Sequence, residues 1–409
     1  MRHVLVVPSW YPTAESPLSG SFFREQCIAL SRAGLRVGVV YPEFESLRRL
    51  SPSAIGGRAA VARRFQRVEE EDAGVPTLRV RGWNVLPRLV LGGRLWARLA
   101  SGLARDYVRR HGRPDLVYAF GALWGGYAGA RLARTLGVPL VVGEHFSGYT
   151  EHFAGYAPGK MTQGQLHAAR EAYAAAARVI AVSTALERTL AGAGLVDARR
   201  LTVVPNLVDT DFFVPPPGGR PASDAGSGGP RFLAIGNLDP IKGPDLLLRA
   251  FSAAFRDDPR ATLDFAGSGS LADSLRRESV ALGVADRVRF LGQLDRDGVR
   301  RALWSADRLV LASHVETFGV VLLEAMATGL PVIATACGGP EDVVTPAVGR
   351  LVPVGDADAL AAALRAARSE PTPPPAAVRE HVLRNFAAPL VVERIADVFD
   401  AVSTGAARA

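Results

Sequence analysis

A chain of 409 residues is longer than one hydrophobic core usually supports, so we expect two domains of about 200 residues each. The 48% hydrophobic and 22% charged residues exclude a disordered chain, the distant Cys27 and Cys337 exclude a disulfide scaffold, and the lack of long apolar runs predicts a cytoplasmic protein. The net charge of +8 comes almost entirely from arginine, with Lys160 and Lys242 the only lysines, and no base-reading module accompanies it, so we expect no nucleic-acid partner.

The first predicted unit is a strand, a loop and a helix. Val4–Val7 predicts a short buried strand, Ser9–Ser21 is a loop rich in Pro, Ser and Gly, and Phe22–Ala33 predicts a helix. A second strand is predicted at Val37–Tyr41. Gly20, at the end of the loop, is either a turn residue or a place where the backbone passes close to a ligand.

Residues 47–113 give a weaker secondary-structure signal and contain many arginines. Within them, Leu89–Val108 predicts an amphipathic basic helix. Such a face is either a solvated surface over an ordinary core or a contact with anionic lipid. A peripheral position at the inner face of a membrane therefore stays open.

The alternation of strands and helices continues in residues 115–145. Asp115–Ala119 and Leu140–Gly143 predict strands, and a helix is predicted between them from about residue 125 to 136. His145 follows the second strand directly, at the carboxyl end where open α/β sheets bind ligands. The alternative for His145 is a structural histidine bonded to a backbone carbonyl.

A composition break divides the chain near its middle. Before it, residues 163–176 predict a helix, Val179–Val182 a strand, and Ala185–Ala193 a helix capped by Ser183. Residues 215–230 are dense in Pro, Gly and Ser and predict a flexible boundary loop. The spacing of Asp209-Thr210-Asp211 is compatible with a metal ligand pair, but its place beside a boundary favours a turn, so we expect no metal.

The second half opens with a glycine-bearing loop between a strand and a helix. The strand is predicted at Phe232–Ile235 and the helix at Asp245–Phe255, and the loop contains Asn237 and Lys242. Such a loop suits a phosphate, and Lys242 would supply a mobile positive charge. A later strand, Thr262–Ala266, ends in a Gly-Ser-Gly run that allows close backbone approach.

The stretch from Ser313 to Asp342 has the most specific pattern. Gly319 precedes a run of helical composition, Val320–Ala327, whose amino end would suit a phosphate. Glu316 and Glu324 cannot bind phosphate, because an ionised carboxylate only accepts hydrogen bonds, so we expect them to hold hydroxyls. The alternatives are a carboxylate at a helix start and a solvated helix face.

The two glutamates, the Phe318-Gly319 pair between them and the Gly329-Leu330-Pro331-Val332 turn together resemble the signature of the family 4 retaining glycosyltransferases of GT-B fold. The resemblance implies an α/β protein with two Rossmann-like, doubly wound parallel-sheet domains that face a central cleft. It implies an acceptor-side domain at residues 1–206, a donor domain at residues 207–385, and a last helix, about residues 386–409, that packs back on the first domain.

The resemblance also implies the reaction and the residues that perform it. A hexosyl group would move from a nucleoside-diphosphate sugar to an acceptor hydroxyl with retention of configuration, without a metal and without a cofactor. The implied catalytic residues are Glu316, His145 and Lys242. The implied donor contacts are Gly20, Asn237, Lys242, Gly267, Gly292, Phe318, Gly319, Val320 and Glu324.

In that assignment Glu324 holds the ribose and Glu316 a hydroxyl of the transferred sugar, while the base packs near residues 291–293. The family usually has an arginine where this chain has Asn237, and a glycine where it has Leu207. The implied acceptor is a sugar, a lipid-linked molecule or another small molecule of glycan biosynthesis. A phosphorylase, a nucleotide-sugar epimerase or a non-catalytic nucleotide-sugar-binding protein on the same fold are the alternatives.

Overall fold

The structure is a computed structural model that describes residues 1–14, 16–46, 66–84, 90–146, 148, 161–219 and 229–406. Within these ranges the strands form two sheets, one of eight strands and one of six. Lys160 and part of the predicted boundary loop lie outside the described residues. No helix in the described part is long and apolar enough to cross a membrane.

The first sheet contains strands from the first half of the chain. Its strands are β1 (His3–Pro8), β2 (Arg36–Ser46), β3 (Gln66–Asp72), β4 (Val75–Asn84), β5 (Leu116–Phe120), β6 (Leu140–Glu144), β7 (Arg178–Ala181) and β8 (Leu201–Val203). Their order is β3-β4-β2-β1-β5-β6-β7-β8, and every neighbouring pair is parallel except β3 with β4. The α-helices of this half are α1 (Ser21–Arg32), α2 (Val90–His111), α3 (Tyr127–Leu136), α4 (Gln163–Ala175) and α5 (Thr184–Gly192).

The second sheet is entirely parallel. Its strands are β9 (Arg231–Ile235), β10 (Thr262–Ala266), β11 (Val288–Gly292), β12 (Arg308–Leu311), β13 (Val332–Thr335) and β14 (Gly349–Val352), in the order β11-β10-β9-β12-β13-β14. The α-helices of this half are α6 (Pro244–Ala254), α7 (Ala272–Ala281), α8 (Arg296–Ser305), α9 (Val320–Ala327), α10 (Pro340–Val343), α11 (Ala357–Ser369), α12 (Pro375–Asn385) and α13 (Ala388–Ala406).

Burial explains why the central strands have such short, apolar sequences. All six residues of β1 and all four residues of β12 and of β13 are buried. A parallel strand is covered by helices on both faces, so it reads as a continuous apolar run instead of an alternating one. The two halves are therefore doubly wound α/β units, as predicted.

The hairpin of β3 and β4 was not predicted from the sequence. β3 is largely exposed and reads Gln-Arg-Val-Glu-Glu-Glu-Asp, which contains no apolar run. Its turn places Ala73 at φ 49° and Gly74 at φ 82°, the left-handed backbone of a tight two-residue hairpin. The charged composition of an edge strand hid this element from a hydrophobic-pattern argument.

The end of the chain returns to the first sheet. Helix α13 buries Val391, Ile395 and Phe399, and the ring of Phe399 packs edge-on against Tyr118 of β5 at 5.1 Å. Helices α12 and α13 are separated at Phe386–Ala387, where Ala387 forms a β-bridge with Val208.

Candidate active site

Three loops of the second sheet lie side by side where β9, β10 and β11 end. Gly236 donates its N–H to Ala266 at 3.0 Å, and Gly267 donates its N–H to Gly292 at 2.8 Å. A Cβ on Gly267 would lie 1.9 Å from the Gly236 carbonyl oxygen, so only glycine fits there. Gly292 has a left-handed φ of 69°, but a Cβ there would meet open space. Gly267 and Gly292, both predicted as donor contacts, thus lie together at one edge of the candidate site.

The loop after β9 contacts the loop after β12. The His314 N–H donates to the Ile241 carbonyl at 2.8 Å, which joins the turn Pro240–Lys242 to the start of the second loop. The Lys242 Nζ then lies 2.5 Å from the Glu316 Oε2, and the Ser313 hydroxyl donates to the same oxygen at 3.2 Å. Two residues predicted to bind different parts of a donor are therefore bonded to each other.

The backbone of Glu316 is fixed by the segment after β13. Its N–H donates to the Cys337 carbonyl at 3.2 Å, and its own carbonyl accepts from Gly339 at 2.8 Å. Only 13% of the Glu316 side chain is exposed, so the carboxylate has little freedom. Burial raises the pKa of the neighbouring Cys337 thiol to about 12, which keeps it protonated and unreactive at neutral pH.

Helix α9 begins as predicted, at Val320 after Gly319. Gly319 has φ 87° and caps the helix without a side-chain hydrogen bond. The Leu322 N–H already donates to the Gly319 carbonyl at 2.9 Å, so the N–H groups of Val320 and Val321 are the donors that the helix start offers to an anion, together with a partial positive charge. Phe318 is 1% exposed and its ring centroid lies 6.1 Å from that of Phe386, so its side chain belongs to the core, and its contact with a donor stays a prediction.

Glu324 lies one turn into α9 and has no hydrogen-bond partner among the described residues. The pKa of Glu324 is raised to about 7, first by burial and then by the charge of Glu25 on α1, against the opposing charge of Arg296. A carboxylate that accepts no hydrogen bond from the described residues is available to accept from ribose hydroxyls. The role of Glu324 in holding the ribose is compatible with this geometry and stays a prediction.

Arg296, which the sequence interpretation missed, joins the two units beside Glu324. Its guanidinium lies 3.3 Å from the Glu25 carboxylate and 3.1 Å from Asp209, and its Cζ lies 4.0 Å from the Phe212 ring centroid. Asp209 forms the predicted local turn, because its side chain accepts from the Asp211 N–H at 3.2 Å. Within the described ranges, no three His, Cys, Asp or Glu residues are grouped as a metal site.

On the first sheet, Gly20 caps α1 with φ 71°. A Cβ on Gly20 would lie 2.6 Å from the Trp10 carbonyl oxygen, so the loop after β1 folds tightly against the start of the helix. Trp10 itself is 37% exposed at this edge. Gly20 therefore has the tight turn that was one of the two predictions, and its approach to a ligand stays a prediction.

His145 lies in an aromatic enclosure at the carboxyl end of β6. Its ring centroid is 4.7 Å from Phe23, 5.3 Å from Phe22 and 6.0 Å from Phe120. Burial lowers the pKa of His145 to about 3, and its Nδ1 is buried without a hydrogen-bond partner in the described part of the chain. The imidazole is neutral at physiological pH, and its ring has no bond to a backbone carbonyl among the described residues.

Glu144, which precedes His145, is a buried carboxyl group that the sequence interpretation did not single out. It accepts hydrogen bonds from the N–H groups of Ala122, His145 and Phe146 at 2.8, 2.9 and 2.8 Å, and from the Tyr173 hydroxyl at 2.6 Å. Burial raises its pKa, and the four hydrogen bonds oppose that rise. Glu144 thereby sets the backbone on both sides of His145. The sequence signal that could have identified Glu144 is a glutamate at the end of an apolar strand.

Asn237 is exposed in the loop after β9 and has no hydrogen-bond partner within the described residues. The predicted donor residues of the second sheet therefore share one edge, but Lys242 is the one formal cation that the sequence interpretation placed there. Gly20 and His145 belong to the first sheet and lie together, because Phe22 and Phe23 of α1 contact the His145 ring. The Glu25–Arg296 pair connects the two groups of residues.

Two doubly wound α/β units with glycine-bearing loops at the carboxyl ends of their strands are the architecture of the GT-B fold. Solved structures agree over nearly the whole chain. Sucrose-phosphate synthase from Thermosynechococcus elongatus covers 99% of this chain and 100% of its own, with a TM-score of 0.76 and 21% identity. Anabaena HepE in complex with UDP and glucose covers 98% and 100%, with a TM-score of 0.71 and 20% identity.

Sequence comparisons place the chain in a family. The profile of Glycosyltransferase Family 4 matches residues 20–212, and that of Glycosyl transferases group 1 matches residues 220–381. D-inositol 3-phosphate glycosyltransferase from Kineococcus radiotolerans is 33% identical over 309 residues, 69% of either chain. The protein of the same name from Geodermatophilus obscurus is 38% identical over 184 residues, 42% of this chain and 40% of that relative. This chain belongs to the family 4 glycosyltransferases and is a glycosyltransferase.

Proposed function

We propose that the protein transfers a hexosyl group from a nucleoside-diphosphate sugar to an acceptor hydroxyl, with retention of configuration and without a metal or cofactor. The observation that carries the proposal is the joined pair of loops that brings Lys242, Glu316 and the start of α9 together. A cation and free backbone N–H groups suit a diphosphate, and a nearby carboxylate suits a sugar hydroxyl.

In this reaction the bond between the anomeric carbon and the diphosphate oxygen breaks, and negative charge grows on the leaving phosphate. Lys242 and the first N–H groups of α9 would stabilise that charge. The acceptor oxygen bonds to the anomeric carbon on the face that the phosphate leaves, and its proton passes to the leaving phosphate oxygen. Glu316 and the neutral imidazole of His145 would hold sugar hydroxyls, since a histidine with a pKa of about 3 remains neutral at pH 7.

The choice of donor and acceptor for a first experiment follows from the similar proteins. HepE is described in complex with UDP, UDP-glucose and glucose, and the curated relatives carry the name D-inositol 3-phosphate glycosyltransferase. A UDP-hexose is therefore the first donor to test, and a ring polyol with or without a phosphate is the first acceptor class. The panel starts from the acceptor in the name of a relative that is 33% identical and extends to other sugars.

The test is a screen of UDP, GDP and ADP hexoses against a panel of sugars and inositol phosphates, read as release of nucleoside diphosphate in buffer containing EDTA. We expect acceptor-dependent release that EDTA leaves unchanged, and nuclear magnetic resonance of the product should show the anomeric configuration of the donor. Inversion, or loss of activity in EDTA, would contradict the mechanism. Release that requires free phosphate, or isomerisation of the donor without an acceptor, would identify a phosphorylase or an epimerase.

The proposal includes peripheral contact with an anionic membrane. Arg94, Arg98 and Arg105 are exposed on one side of α2, and none of the three has an ion-pair partner among the described residues. Arg109 is paired with Asp106, so it would add little to the attraction for acidic headgroups. Three cations on one helix face would attract acidic headgroups. Flotation with vesicles containing phosphatidylglycerol should recover the wild type, and replacement of all three arginines by Gln should abolish that recovery.

A further inference from the structure

A second contact between the two units lies away from Arg296, at the start of α5. Thr184, the first residue of that helix, donates its N–H to the Asp342 Oδ2 at 2.6 Å and its hydroxyl to the Asp342 Oδ1 at 2.6 Å. Ser183 caps the same helix separately by accepting from the Leu186 N–H at 3.1 Å. Asp342 therefore takes both donors of Thr184, and it does so from α10 of the second half of the chain.

The Asp342 end of this contact continues to Glu316. The Asp342 N–H donates to Gly339 at 3.1 Å, and the Gly339 N–H donates to the Glu316 carbonyl at 2.8 Å. The segment also has no space to shift toward the site, because a Cβ on Gly339 would lie 2.2 Å from the Phe318 Cα. Any displacement of Asp342 is thus transmitted within a few bonds to the backbone of Glu316.

We propose that Thr184 is a positioning residue for glycosyl transfer: through Asp342 it fixes the segment of residues 337–342 and so sets the place of the Glu316 carboxylate. The inference rests on the role proposed for Glu316. Its consequence is that the donor site in the second half is complete only when the first half is docked. Closure of the cleft then supplies a residue contact as well as the exclusion of water.

The main variant is Thr184→Val, which keeps the shape of the side chain and the backbone N–H but removes the hydroxyl bond to Asp342. With UDP-glucose, or with the hexosyl donor that the release screen selects, we expect kcat to fall about tenfold, as for other small displacements of a reacting group. KM and the Kd for UDP should stay within about twofold, since the diphosphate contacts do not pass through Asp342. Thr184→Ser restores the hydroxyl and should restore kcat.

Thr135→Val is the matched control. Thr135 is an exposed residue of α3 whose hydroxyl donates to the Arg131 carbonyl at 2.9 Å, inside its own helix. This variant loses a hydroxyl of the same kind with no route to Glu316, so its kcat should equal that of the wild type. An equal fall in both variants would show a general effect of the substitution and would overturn the inference.

Hydrogen–deuterium exchange gives a readout that needs no substrate. We expect a peptide that spans residues 336–343 to exchange faster in Thr184→Val and in Asp342→Ala than in the wild type or in Thr135→Val. The Thr184→Val, Asp342→Ala double variant should lose no more activity than Asp342→Ala alone, because Asp342→Ala already removes the acceptor of the Thr184 hydroxyl. Wild-type exchange in Thr184→Val, or additive losses, would overturn the inference.

Glu316→Gln separates this inference from the proposed function. If Glu316→Gln is inactive while Thr184→Val turns over normally, the positioning role of Thr184 is wrong and the proposed reaction stands. If Glu316→Gln transfers sugar at the wild-type rate, the role proposed for Glu316 fails, and the inference fails with it. Inactive Glu316→Gln together with slow Thr184→Val supports both.

Discussion

Lys242 and Glu316 form an ion pair with 2.5 Å between Nζ and Oε2, although 74 residues separate them in the sequence. The positive charge of Lys242 and the negative charge of Glu316 offset each other in this pair. The carboxylate takes one of the three N–H donors of Lys242 and offsets its charge, so under the proposed function a diphosphate would compete with Glu316 for Lys242. Displacement of the carboxylate would leave Glu316 available to a sugar hydroxyl.

Replacing Glu316 with Gln removes the competitor of the diphosphate. We expect the affinity for UDP to rise about threefold, a modest value because 31% of the Lys242 side chain is exposed. Turnover should fall about a hundredfold, since the sugar loses a charged anchor. Calorimetry with UDP and a release assay with a UDP-hexose measure the two effects separately. Weaker UDP binding in this variant would contradict the competition.

Replacing Lys242 with Ala should have the opposite effect on affinity. Hydrogen bonds to charged groups contribute roughly 1.5–3 kcal/mol, so the Kd for UDP should rise at least about tenfold. The affinity for uridine, which has no phosphate, is the control and should not change. An unchanged Kd for UDP would remove Lys242 from the diphosphate site.

Asn237→Arg should add a second cation to the loop after β9. Asn237 is exposed and has no partner in the described part of the chain, so the larger side chain has room and breaks no hydrogen bond. We expect tighter UDP binding, with a greater gain at low salt because the added contact is electrostatic. Calorimetry at two salt concentrations measures it, and a loss of affinity would mean that the loop does not face the diphosphate.

The raised pKa of Glu324 predicts a pH dependence of nucleotide binding. With a pKa of about 7, Glu324 is largely protonated at pH 6 and ionised at pH 8. Ribose hydroxyls donate to the ionised form, so affinity should rise as pH increases through 7 and level off above it. The change in UDP affinity between pH 6 and 8 should be smaller in Glu324→Gln than in the wild type. Because the ionisation of UDP affects both proteins equally, the difference between them reports on Glu324. Equal pH profiles would separate Glu324 from the ribose.

Gly267 and Gly292 make a matched pair for a stability experiment. A Cβ at Gly267 would overlap the Gly236 carbonyl oxygen, whereas a Cβ at Gly292 meets nothing within 4 Å. Gly292→Ala should cost about 1–2 kcal/mol for its left-handed backbone alone. Gly267→Ala should cost clearly more and displace the loop after β9. Thermal unfolding measures both, and equal losses would contradict the contact between the two loops.

Sequence patterns predicted the elements of the site better than their contacts. Helix α9 has the predicted bounds, because Gly319 marks its start and its residues favour a helix. The predicted strand Asp115–Ala119 is shifted by one residue from β5 (Leu116–Phe120), a usual error at the end of an apolar run. The parallel pairing followed from the alternation of elements, whereas the order of the strands within each sheet was not predicted.

The contacts that join distant segments had no local signal. The break of the last helix at Phe386–Ala387 has a local signal in Pro389, which cannot donate to the preceding turn, but the pairing of Ala387 with Val208 has none. Glu144 and Arg296 were missed because burial and ion pairing appear only when other segments fold around them. The domain limits at residues 206 and 385, like the roles of the donor contacts, stay predictions.

The bridge between Val208 and Ala387 means that the chain enters and leaves its second half at one place. Val208 also donates its N–H to Phe386 at 3.1 Å, so the outgoing and returning segments run side by side. In topological terms the second unit is an insertion within the first, held by a double-stranded neck. The Thr184–Asp342 and Glu25–Arg296 contacts join the two units away from this neck, so a rotation about the neck would have to break them.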